Sequence, residues 1–325
     1  MLTNDALNYL VGMLRNEGIR TDAVDTTWFK RELEHVEANA YEQRYPALRA
    51  REFIPTAQGI PEWARVHVWR EVDFVGSAEF ISNAADDLPS SDVFGSENTK
   101  VIKPLGASYQ WDYFEMMAAA ATNRSLDRDR GNGARRSIET KIDDTLATGN
   151  SGQNLQGLLN LANTSSYTLM TKARGGTTWG TMAVPNATAD EVVADICGFA
   201  TYMHTVTKGV WGKFMMLLPL EQYAYASQIR LGDNTTTALA FAKSVCPYLE
   251  DVQPWIKCDN AGAGGTSDRI VCYARDSSIL AGIVPIEFRP LPLERKSLKY
   301  IVPCIATCGG VVSKAPVTVG YADGS

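Results

Sequence analysis

Histidine is scarce in this chain of 325 residues: there are three, His35, His67 and His204. None has a companion at metal-ligand spacing, so an imidazole metal site has no starting point. No GxSxG elbow is present, which leaves a Ser–His–Asp hydrolase without its nucleophile. Neither GxxxxGK[ST] nor GxGxxG occurs; GAGG at 262–265 has no lysine partner and reads as a loop before a strand. The six cysteines, Cys197, Cys246, Cys258, Cys272, Cys304 and Cys308, are scattered and form no CxxC. They are expected to be buried free thiols of a reducing compartment. Cys304 and Cys308 share a strand face by period 2, but a metal would need two further ligands nearby. No run of ~18 apolar residues exists, so no membrane-spanning helix is expected. The opening MLTNDALNYLVGML carries Asp5 and lacks a basic segment, so it does not read as a signal peptide. Positive charge is also in deficit, with 31 Lys and Arg against 37 Asp and Glu and a net charge of -6. That argues against a protein that grips nucleic acid tightly, while leaving room for a container that merely encloses it.

What is present is patterned apolar content, 45% of residues, enough for one large core or two modest ones. Residues 3–17 are weakly helical. A clearer helix carries Phe29, Leu33, Val36 and Ala40 on one face and ends before Pro46. REFIPTAQGIPEWA, with two prolines and a glycine, predicts an extended stretch. In RVHVWREVDFV, Val66, Val68, Val72 and Phe74 alternate with His67, Glu71 and Asp73, which predicts a strand with one apolar and one wet face. A polar stretch, SNAADDLPSSDVFGSENT, separates it from a second extended run, KVIKPLGASYQW. Together they predict a long hairpin with too little apolar content for its own core. Such a hairpin is a liability in a monomer and makes sense if a neighbouring copy covers it.

Residues 111–148 are the strongest helical region. Trp111, Phe114, Ala118 and Ala121 lie on one face, Gly131 and Gly133 are expected to interrupt or loosen it, and Ala134, Ile138, Ile142 and Leu146 form a thin apolar seam up to a stop at Gly149. Such a seam predicts a helix lying across a sheet or along a partner. Residues 189–206 form an amphipathic helix with Val192, Val193, Ile196, Phe199, Ala200 and Met203 in register. GKFMMLLP predicts a buried strand, PLEQYAYASQI a helix, and DNTTTALAFAKSV a helix capped by Asn234 or Thr235. RIVCYA and much of the tail after residue 298 are strand-like. The order is α+β and not a regular βαβ array.

Charged groups offer little chemistry. Asp86–Asp87 falls in the hairpin tip and Asp143–Asp144 on a helix surface, both read as solvated charges. Arg124, Arg128, Arg130, Arg135 and Arg136 alternate with Asp127 and Asp129, which suits ion pairs between subunits better than a nucleic-acid stripe. No residue stands out as catalytic, cofactor-binding or metal-ligating. No cofactor is expected, and the chain reads as no enzyme.

Taken in order, these pieces resemble the major capsid proteins of tailed phages with the Hong Kong 97 fold, which encapsulin shells share. The features that carry the resemblance are a helical arm ending near RYPALRAREFIP, the hairpin from VHVWREVDFV to KVIKPLGASYQW, the long helix through WDYFEMMAAA and ARRSIETKIDDTLATGN, the GLLN turn after it, and the closing run RIVCYARD, IVPIEFRPLP and LKYIVPCIATCGGVVSKAPVTVGYADG. The resemblance implies an N-terminal arm at 1–62, an extended E-loop at 63–108, a peripheral domain with a spine helix at 109–183, an axial domain at 184–295, and strands at 296–325 returning to the peripheral domain. It implies self-assembly into hexamers and pentamers of an icosahedral virion shell around double-stranded DNA, without sequence-specific binding and without a membrane. Scaffolding, portal and decoration proteins are its implied partners, and assembly in the host cytoplasm its setting. An encapsulin-like compartment is the alternative within the fold, and an enzyme with an unrecognised site the alternative outside it. Some relatives cross-link a lysine of this loop to a neighbour; Lys100 and Lys103 lie in the hairpin, but no carboxylate can be assigned as the catalyst.

Overall fold

The computed structural model describes residues 45–80, 90–122, 126–181, 183–232 and 235–324. The chain divides into units at 1–47 and 48–325. The predicted helices at 3–17 and Phe29–Ala40, with His35, lie outside the described residues, as do Asp86, Asp87, Arg124 and Asn234.

The second unit begins with a single helical turn, α1 (Ala50–Phe53), whose Phe53 is fully buried. Strand β1 (Val66–Val75) follows and pairs antiparallel with β2 (Asp92–Val101), Val66 opposite Val101 and Val75 opposite Asp92. The hairpin exists, but its return strand is DVFGSENTKV, whose first eight residues belong to the stretch expected to be the polar tip. The physical reason is that β2 is exposed almost throughout and needs no alternating apolar pattern. One buried residue, Ile102, then separates β2 from β3 (Lys103–Asp112), which leaves the hairpin for another sheet.

Trp111 therefore belongs to β3 and not to the helix predicted around it. Helix α2 (Tyr113–Thr122) starts after it, and α3 (Leu126–Thr148) runs on through Gly131 and Gly133 without interruption. A mid-helix glycine costs about 1 kcal/mol relative to alanine, too little to break a helix whose seam is buried. At Gly131 a Cβ would stand 3.6 Å from the Tyr109 ring. Ala134, Ile138, Ile142 and Leu146 are all buried, as the seam predicts. The helix ends at Gly149 with φ +74°, where a Cβ would come within 2.4 Å of the Leu155 carbonyl oxygen.

Beyond it come β4 (Ser165–Ser166), α4 (Ala189–Val206), β5 (Phe214–Leu218), α5 (Leu220–Gln228), α6 (Ala238–Val245), β6 (Leu249–Pro254), β7 (Arg269–Tyr273), β8 (Leu280–Ile283), β9 (Arg289–Pro290), β10 (Glu294–Lys296), β11 (Lys299–Cys308), β12 (Gly310–Ser313) and β13 (Val319–Asp323). Helix α4 has a full capping box: Thr188 N–H donates to Glu191 at 2.7 Å, and Glu191 N–H donates to Thr188 Oγ1 at 3.4 Å. The cap of α6 is Thr237, accepting from Ala240 N–H at 3.4 Å, and not Asn234 or Thr235.

The strand order β4-β13-β7-β5-β6 makes a mixed sheet with an apolar cluster on each side. Period-2 alternation divides its residues. Met215, Leu217, Val271, Tyr273, Val319 and Tyr321 enter the first core; Phe214, Met216, Leu218, Ile270, Cys272 and Ala322 enter the second. Both faces of β5 are covered, so FMMLL is apolar at every position. The first core is completed by the α3 seam lying over β3 and β11, which pair from Lys103–Cys308 to Asp112–Lys299. The second is completed by the apolar face of α4 with α5 and α6. A smaller cluster of Ile102, Ile283 and Val312 sits at the hairpin root, with Trp69 packed on it.

Candidate functional site

The polar pairs of the body do structural work. Asp143 is 4% exposed, not solvated as its helix position suggested. Its Oδ1 accepts the Ala50 N–H at 2.8 Å, which supplies α1 with the N-terminal acceptor that Arg49 does not provide. Burial raises its pKa, with the Asp144 charge adding to the rise. Asp144 pairs with Lys257 at 2.5 Å. Two of the arginines expected to pair between subunits find carboxylates within the chain. Arg130 forks onto Glu115 at 3.0 and 3.1 Å and donates to the Gln110 carbonyl, and Arg135 pairs with Glu139 at 2.7 Å, all within the chain. The charges fall at helical spacing or beside the strand end, which an intrachain partner can reach at no cost in association.

One pair was invisible in the sequence. Lys172 and Asp195 form an ion pair with both side chains fully buried. Asp195 also accepts the Trp179 indole N–H at 2.7 Å and the Met170 N–H at 3.2 Å, and Lys172 donates to the Met170 carbonyl at 2.8 Å. The network clips the segment before α4 onto that helix. Nothing in the local sequence around Asp195 shows that its counter-charge lies 23 residues upstream.

The thiols are free, and Cys304 and Cys308 do share a face of β11, pointing into the first core. Burial pushes Cys258 and Cys272 far up, and pushes Cys197, with help from Cys246, up to about 12. Protonated thiols are poor nucleophiles and poor metal ligands. Among the described residues no group of three His, Cys, Asp or Glu side chains is placed to hold a metal, and no helix is long and apolar enough to cross a membrane. His204 ends α4 as expected, stacked on Tyr248 with centroids 4.0 Å apart, its Nδ1 3.0 Å from the Trp211 carbonyl. GAGG forms a turn closed by Gly262 N–H on the Ser267 carbonyl at 2.8 Å.

The surface that stands out is the hairpin. Val66, Val68, Val72 and Phe74 of β1 share a face, by register, with Val93 and Val101 of β2, and all six are exposed; Phe74 is 79% exposed. The apolar face predicted for β1 is therefore turned away from the body. The supposedly wet face is turned inward at the root, where His67, Trp69 and Glu71 are half-buried. An apolar stripe of this kind on a strand pair marks an interaction surface. Its only charged interruption is Arg70 with Glu97, paired across the strands at 2.7 Å. A second exposed apolar group joins Tyr113, Phe114, Met116 and Met117 of α2 to Leu298 in the β10–β11 turn, whose carbonyl accepts the Tyr113 N–H at 2.9 Å. Lys100 is tied down within the chain: its Nζ donates to Gln156 Oε1 at 2.9 Å.

A projecting hairpin, a long helix over a sheet and a second core behind a mixed sheet define a shell-forming fold of the Hong Kong 97 type. The family model described as "Major capsid protein" matches residues 76–324, and the chain belongs to that family. Its structure is similar to that of the capsid of Myoviridae phage XM1, at a TM-score of 0.79 and 16% identity, covering 93% of this chain and 100% of that one. It is similar to a structure from Mycobacterium phage Bobi at 0.59 and 14%, covering 91% and 98%. It is similar to the capsid of an empty GTA particle at 0.60 and 10%, covering 90% and 95%. No curated protein sequence matches. The chain is thus a structural protein of the virion that assembles with copies of itself.

Proposed function

We propose that this chain forms hexamers and pentamers that close into an icosahedral shell around double-stranded DNA, with the hairpin of each copy lying over its neighbour. The observation that carries this is the exposed apolar stripe of Val66, Val68, Val72, Phe74, Val93 and Val101 on a hairpin with no core of its own. Burying it against a second copy removes apolar area from water at about 25 cal/mol per Å². In the same reading residues 1–62 are an arm, 63–108 the extended loop, 109–183 the peripheral domain, 184–295 the axial domain and 296–325 strands returning to the peripheral domain. The net charge of -6 suits a wall that encloses DNA without trapping it. Scaffolding, portal and decoration proteins are its proposed partners, and the host cytoplasm its place of assembly.

Negative-stain microscopy of the purified protein tests this. Closed shells, or rings of five and six, are expected; a monomer under every salt and scaffolding condition overturns it. Deleting residues 80–97 should leave the body folded and impair assembly, and unchanged assembly would sink the role given to the hairpin.

A further inference from the structure

At the hairpin root, Trp69 packs on the Ile102 cluster and Lys100 bonds to Gln156 of the body. His67 of β1 stacks on Trp69 at 5.9 Å between centroids. Directly across the ladder from His67 is Lys100, held by Gln156 at 2.9 Å. Cross-strand neighbours of this kind have Cβ atoms about 5 Å apart. From the body, Val312 packs in the cluster that Trp69 rests on, and Lys314 follows it at period 2, held by its N–H on the Ile279 carbonyl at 2.8 Å. On the same strand face stands Glu71, whose carboxylate is already taken by the Trp69 indole N–H at 2.7 Å. The ladder places Lys100 of β2 opposite His67, the Lys314 charge acts on it from just past β12, and the nearby Glu71 carboxylate is already committed.

We propose that the hairpin root is a pH-responsive seat: neutral His67 holds β1 and β2 against the body, and protonated His67 adds a third cation there and releases them. This goes beyond the shell reading and does not depend on it, since every group involved belongs to one chain. Burial, and then the Lys314 charge, hold the His67 pKa below its usual value. A histidine whose seated pKa is depressed favours the seated form above the ordinary value of about 6.5. That preference is lost progressively as the pH falls from there toward the lower seated value, because the released form takes up the proton first. Burial lowers the pKa of Lys100 as well.

Hydrogen–deuterium exchange on the full chain, corrected for intrinsic exchange, tests it at about pH 7.5 and about pH 5.5, either side of an ordinary histidine pKa. Protection of the β1 and β2 amides is expected to fall several-fold at the lower pH while α3 holds constant. His67→Gln is expected to abolish the fall and Lys314→Met to shrink it. Equal hairpin protection at both pH values in the unmodified chain overturns the proposal, and so does an undiminished fall in His67→Gln. Should His67→Gln lose protection at both pH values, Lys314→Met decides: a smaller fall supports the switch and an unchanged one refutes it.

Discussion

Strands β1 and β5 are both rich in apolar residues, yet they live in opposite surroundings. All five residues of FMMLL are buried between two cores, whereas Val66, Val68, Val72 and Phe74 of VHVWREVDFV face outward. Hydrophobic burial favours covering both strands equally. The body completes the first with its own helices and sheets, and among the described residues nothing completes the second. The difference separates what this chain needs in order to fold from what, on the proposed reading, it holds out for a neighbour.

That contrast can be broken or sharpened by substitution. The largest loss of subunit stability is expected for Asp195→Ala, which leaves the Lys172 ammonium buried without its counter-charge at a cost of about 3–5 kcal/mol. Urea unfolding of the subunit measures it, and adding Lys172→Met should recover much of it by removing the stranded charge. Ile142→Ala, at a fully buried position of the α3 seam, should cost about 3 kcal/mol on the same assay through lost burial and the cavity left behind.

A smaller, pH-dependent effect is expected at Arg269 and Asp323, paired at 2.6 and 2.8 Å. Burial pushes the Asp323 carboxyl up, but the Arg269 guanidinium and the Ala263 N–H outweigh it and hold the pKa below the usual carboxylate range. The pair therefore stabilises the fold above the unfolded value of about 3.9 and loses that contribution as the pH falls through the lower folded value. Asp323→Asn should lower the urea midpoint at neutral pH and flatten its acid-side decline; an unaltered pH profile would remove the pair from the account.

The smallest effect on subunit stability is the sharpest test. Val72→Ser combined with Phe74→Ser should shift the unfolding free energy by no more than about 0.5 kcal/mol, because both side chains are exposed. The same double variant should abolish or cripple assembly, read as shell yield by sedimentation. A hairpin that mattered only to the subunit would reverse that pattern.

Helices with a one-sided apolar period were legible from the start. The seam from Ala134 to Leu146 and the α4 face from Val192 to Met203 are buried where the 3.6-residue repeat puts them, since a buried stripe must repeat with the helix. Strand β2 was not legible, because a strand with two exposed faces needs no apolar alternation. Trp111 fell to both the extended run and the helix, because an aromatic before a helix-forming run fits a strand end as well as a helix face. Asp143 looked solvated because a carboxylate does not announce the backbone N–H that will meet it 93 residues away.

By itself, the sequence determined the α+β order, the seams of the long helices, the buried strand β5 and a hairpin unable to stand alone, all of which are local periodicities. Only the tertiary structure decided which face of β1 turns outward, which carboxylates are buried and which cations crowd His67. Those depend on partners tens to hundreds of residues apart, and distance along the chain carries no periodic signal.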